Sequence, residues 1–87
     1  MAAKLGLVAP YPELERIARE VCVELGENVD VRQGDLSVGV QAAREMQLEG
    51  AEVIVSRGGT ALSIAETVDV PVVSIQVTGF DILRALH

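Results

Sequence analysis

The sequence predicts an α/β domain, a parallel sheet with helices on both faces. Short β-branched runs alternate with segments of helical periodicity four times, with no internal linker or low-complexity stretch. The connections are short, and a strand–helix–strand unit within one sheet crosses over right-handed. The run AEVIVS at 51–56 is apolar on both faces at its centre, as befits a parallel strand covered on both sides.

Each element has its own signal. LGLVAP (5–10) is a compact apolar run ended by proline and reads as the first strand. In YPELERIAREVCVELGEN, Leu14, Ile17, Ala18, Val21, Cys22 and Leu25 recur at helical spacing, with charged residues mostly opposite. Pro12 suits the first helical turn and Gly26 the position just past the end. VDVRQ (29–33) is a short second strand, nearer an edge. Gly34-Asp35 then turns the chain, with Asp35 as N-cap of a second helix through Val38, Ala42, Ala43 and Met46. After the third strand (51–56), a third helix is expected from Thr60 to about Val68. Pro71 opens the fourth strand, PVVSIQV, and TGFDILRALH begins a last helix, with Thr78 and Asp81 at capping-box spacing. Four such strands imply a flavodoxin-like three-layer sandwich of order 2-1-3-4, with the switch in strand order between the first and third strands.

Composition excludes several functions. A domain of 87 residues buries only about 60% of the surface its unfolded chain exposes, so its stability is modest. Aromatics are 2% of the chain, so Val, Ile, Leu and Ala build the core. A single cysteine excludes an intrachain disulfide and fits a reducing cytoplasm, and one His with one Cys cannot make a zinc site. The formal net charge is −6 and the seven basic residues are dispersed, so nucleic-acid binding by this segment is not expected. No apolar stretch approaches the ~20 residues that span a bilayer. No cofactor is implied.

The candidate site is VSRGGT. Ligands of parallel α/β sheets lie beyond the carboxyl ends of the strands, near the switch point. Pro10 and Tyr11 follow the first strand there, Ser56-Arg57-Gly58-Gly59-Thr60 the third, and Gly79-Phe80 the fourth. The glycines permit positive φ and bring main-chain amides together. The third helix presents free N–H groups and its positive dipole end at the same place, and Arg57 adds a fork of donors matched to a carboxylate. These residues read as a rim that receives an organic anion. A structural reading stands beside it: Gly58-Gly59 as a tight turn with Thr60 as helix cap, Arg57 paired with Glu13, Asp35 or Asp81, Asp35 as a cap alone, and Phe80 and Cys22 as packing.

An enzyme is not expected, because no nucleophile–base–orienter set is visible. A phosphate-accepting receiver domain shares the sheet order but needs an acidic pair after the first strand and an aspartate ending the third. Here those places hold Ala9-Pro10-Tyr11 and Ser56-Arg57. Flavin binding is disfavoured by the prolines after the first strand.

VAPYPELERIAREV, QGDLSVGVQAAREM, GAEVIVSRGGTALSIAE and VPVVSIQVTGFDILRAL occur in this order. Together they resemble the first lobe of the N-terminal sensory domain of propionate-catabolism-type, sigma-54-dependent bacterial transcription activators. The resemblance covers nearly the whole chain, and SRGGTA followed by GFDILRAL is its most specific pair. It implies a single sensory lobe over residues 1–87, a fragment of a longer cytoplasmic regulator whose second lobe, ATPase module and DNA-binding module lie elsewhere. No GxxxxGK[ST] loop or basic recognition helix is present, so neither ATP nor DNA binding carries over to this segment. The implied ligand is a small organic anion of the 2-methylcitrate type. The alternative is a dimerisation or docking module without a ligand site; a homodimer is expected, by pairing of an open fourth-strand edge, by packing of the apolar last helix or by exchange of the terminal segment.

Overall fold

The structure, a computed structural model, describes residues 4–75. At its centre lies β1 (Leu5–Ala9), flanked by β2 (Val29–Gln33) on one side and β3 (Val53–Ser56) on the other. β4 (Val72–Ser74) completes an all-parallel sheet of order β2-β1-β3-β4. The expected flavodoxin-like order is therefore the observed one. Leu7 stands beside Val31 in β2 and Val55 in β3, and Val55 beside Val73 in β4.

Strand alternation sends side chains to two cores. Leu7, Ala9, Val31 and Val55 pack against Leu14, Ala18, Val21 and Cys22 of α1 (Pro12–Leu25). Val8 and Ile54 pack on the opposite face against Ala43 and Met46 of α2 (Leu36–Leu48) and Ile64 of α3 (Gly58–Ala65). Helices thus cover both faces. Each fully buried Leu, Ile or Met contributes about 1.5–3 kcal/mol through the apolar area it removes from water. Gly6 leaves room for Met46, whose sulfur would lie 2.6 Å from a Cβ there.

The helix boundaries follow local chemistry. Pro12 opens α1, where its missing N–H costs nothing. Gly26, at φ 69°, closes it as expected: its N–H donates to Val23 O and that of Glu27 to Cys22 O, the paired bonds of a Schellman motif.

Several expectations need correction. α3 starts at Gly58, two residues before Thr60, and ends at Ala65. Gly58-Gly59 is thus its first turn, with Arg57 in extended conformation at the N-cap. Thr60 lies inside the helix and is not its cap. β3 begins at Val53, since the amides of Glu52 and Val53 both turn to Lys4 O. β4 begins at Val72 and is assigned only through Ser74. The buried stripe of α2 runs through Gly39, Ala43 and Met46, leaving Val38 62% exposed. Asp35 does stand at the N-cap of α2, but its side chain makes no capping bond. Val77, Gly79, Phe80 and the last expected helix lie outside the described residues. No described helix is long and apolar enough to cross a membrane.

Candidate functional site

Three adjacent parallel strands end on the same side of the sheet, which brings the segments after β2, β1 and β3 together. Between them lies a cleft of about 360 Å³. Pro10 and Tyr11 form the wall after β1, and Arg57, Gly58, Gly59 and Thr60 the wall after β3. The segment after β2 adds Asp35, which the sequence reading brought here only as an ion-pair partner of Arg57, and Leu36, which it did not place here. The signal was available: in order 2-1-3 the β2 loop must neighbour the β1 loop, and QGDLS occupies it.

Arg57 is half-buried, and its Nη1 donates to the Tyr11 hydroxyl at 3.3 Å. That is longer than the 2.7–2.9 Å typical of charge-assisted bonds, about. The guanidinium carbon lies 5.9 Å from the Tyr11 ring centroid, at the outer limit of a cation–π contact, so the hydroxyl contact is the more informative of the two. Nε is buried without a partner among the described residues. The expected ion pairs with Glu13 or Asp35 do not form, and Asp81 lies outside the described residues.

The backbone beside Arg57 is equally open. The first amide of α3 to bond within the helix is that of Ala61, which donates to Arg57 O at 3.2 Å. The amides of Gly58, Gly59 and Thr60 precede it and have no partner among the described residues. Gly58 sits at φ 59°, a conformation that favours glycine.

Thr60 ties the two walls together. Only 2% exposed, it donates its hydroxyl proton to Asp35 Oδ1 at 2.7 Å and accepts the Leu36 amide at 3.1 Å. The Asp35 carboxylate is thus oriented by Thr60 and does not cap α2. Leu36 is held at φ 44°, uncommon for a residue with a side chain, and its side chain remains 56% exposed at the cleft.

Of the expected site residues, Pro10, Tyr11, Arg57, Gly58, Gly59 and Thr60 line one cleft. Ser56 does not: it is fully buried, with Oγ donating to Val8 O at 2.8 Å, and it ties β3 to β1 behind the rim. Gly79 and Phe80 lie outside the described residues. Among the described residues no group of His, Cys, Asp and Glu is arranged to hold a metal.

Residues 23–87 match the N-terminal domain of the propionate catabolism activator family, a match that includes the whole β2–α2–β3–α3 half of the cleft. The chain belongs to that family. Its role is accordingly that of a sensory domain in a propionate catabolism activator, and the family is one of transcription regulators. No curated protein matches the chain by sequence. In this propionate catabolism activator domain the cleft is where a cation and open main-chain donors meet.

Proposed function

We propose that this lobe senses a small organic anion bound in the cleft between the segments after β1, β2 and β3. The observation that supports this reading is Arg57, half-buried and without a carboxylate partner among the described residues, beside three open amides of α3. A ligand carboxylate would give the guanidinium Nε and the amides the acceptor they lack among the described residues. A hydrogen bond to a charged group contributes about 1.5–3 kcal/mol when water is excluded, and less in an open cleft. The family resemblance makes a 2-methylcitrate-like polycarboxylate the first ligand to try.

In this reading the lobe is part of a cytoplasmic, sigma-54-dependent activator whose ATPase and DNA-binding modules lie in other segments. Binding acts by favouring one arrangement of lobes or subunits, and it shifts that equilibrium only by its differential affinity for the two states. The role is regulatory, not catalytic. Calorimetric titration with citrate is the test: Arg57→Ala weakens binding by about tenfold or more, equivalent to about 1.4 kcal/mol. Equal binding by native protein and variant overturns the assignment.

A second reading, a dimerisation module, is favoured by a different observation. Among the described residues β4 pairs with β3 alone, and an apolar groove lined by Ala61, Leu62, Ala65 and Val72 runs beside it. The two readings are compatible, since a sensor can signal through assembly.

A further inference from the structure

We infer that Asp35 is the specificity-determining residue of this cleft and that it selects hydroxycarboxylates over carboxylates lacking a hydroxyl. The inference rests on the cleft being the anion site. It starts from a mismatch: a cleft meant only for negative charge would not carry a carboxylate in its wall, yet Asp35 lines it together with Arg57.

Among the described residues, one cation and one anion leave the lining formally neutral. A ligand that offers only carboxylates is drawn to Arg57 and the α3 amides but repelled by Asp35. An ionised carboxylate is acceptor-only, so the ligand group that suits it must donate. A hydroxyl next to the ligand's carboxylate does so without adding charge.

Asp35 is prepared for this task. Its Oδ1 is fixed by the Thr60 hydroxyl at 2.7 Å, and Thr60 is fixed in turn by the Leu36 amide at 3.1 Å. The bond to Oδ1 uses one carboxylate oxygen; Oδ2 receives no hydrogen bond from the described residues. Leu36, exposed beside it, offers an apolar surface to the aliphatic part of the same ligand. A volume of about 360 Å³ lies at the small end of ligand pockets, which suits a compact metabolite.

The test compares citrate with propane-1,2,3-tricarboxylate, which differs from it only in lacking the hydroxyl. Calorimetric titration of the native protein is expected to show citrate bound about tenfold more tightly. In Asp35→Asn the amide oxygen can still accept the Thr60 proton, while the amide nitrogen replaces an acceptor by a donor. The preference is expected to vanish, chiefly because the hydroxyl-free ligand binds more tightly. Asp35→Glu, which keeps the charge and the acceptor, retains a preference of the same sign. Thermal melts and circular dichroism confirm that each variant is folded. An unchanged ratio in Asp35→Asn, with both ligands still weakened by Arg57→Ala, overturns the role of Asp35 and leaves the anion site standing. Failure of the native protein to bind either ligand overturns both.

Discussion

Thr60 does more than its place in the sequence indicates. Its hydroxyl is the only described partner of the Leu36 amide, and through it the start of α2 is held against α3. Thr60→Val keeps the shape but removes both bonds, leaving a part-buried N–H unpaired. The expected loss is about 1–3 kcal/mol in urea unfolding. The two glycines nearby separate conformation from space. Neither is crowded: a Cβ at Gly58 meets nothing within 4 Å, and at Gly59 only the Leu36 side chain at 3.9 Å. Only Gly58 has positive φ. Gly58→Ala therefore loses about 1 kcal/mol, since left-handed strain of about 1–2 kcal/mol exceeds the gain from a less flexible unfolded chain. Gly59→Ala is neutral or stabilising by up to about 1 kcal/mol. Equal effects at the two positions in chemical denaturation would show that the backbone angle is not what matters.

At the scale of elements, the approach of α2 to its neighbours depends on Gly39. A Cβ there would stand 2.7 Å from Gly34 O and 2.7 Å from the Thr60 methyl, and a backbone carbonyl cannot swing aside as a side chain can. Gly39→Ala is thus expected to destabilise by about 1–3 kcal/mol despite alanine's better helix propensity, and to widen the angle at which α2 meets the cleft. Denaturant midpoints with unchanged slope check the first part. This contact also explains what could be read from the sequence. The strands, α1 with its proline and glycine ends, and the order 2-1-3-4 were legible because they follow from periodicity, capping and crossover handedness, all local or topological signals. The face of α2 was misread because hydropathy favours Val38, whereas packing favours the residue with no side chain. The wall formed by Asp35 and Leu36 was missed, although the strand order sets the β2 loop beside the β1 loop, because Asp35 reads locally as a cap and its partner Thr60 lies 25 residues away. The start of α3 was missed because Thr60 reads locally as a cap, whereas its hydroxyl is bonded to Asp35. Arg57 and its glycines were recognisable as a basic, amide-rich break after an apolar strand, but the burial of Ser56 was not, since its partner is a carbonyl of β1.

For the molecule as a whole, pH and assembly probe the two sides of the sheet. Cys22 is buried on the sheet-facing side of α1, and burial pushes its thiol above the usual range, with Glu27 adding to the shift and Arg19 opposing it. A raised folded-state value means the native protein holds the thiol proton more tightly than the unfolded chain. That contribution is complete below the unfolded thiol's value of about 8.5 and is lost as pH rises through the folded one. Above about pH 8.5 the melting temperature of native protein should fall more than that of Cys22→Ala; parallel curves would remove the thiol from the account. Assembly concerns the β4 end. Val73 is 46% exposed on the face that α1 covers elsewhere, while Leu62 is 67% exposed at the groove on the opposite face. A strand that pairs on one side only among the described residues, with apolar surface on both faces, is suited to meet its own copy. The expected result is a dimer at micromolar concentration by light scattering after size exclusion. Val73→Lys should shift it towards monomer, because a desolvated ammonium on a strand edge opposes pairing. Val23→Lys, which changes an exposed valine of α1, should leave assembly as it is. A native protein that stays monomeric throughout that range would overturn the dimer while leaving the cleft's ligand to be decided by calorimetry.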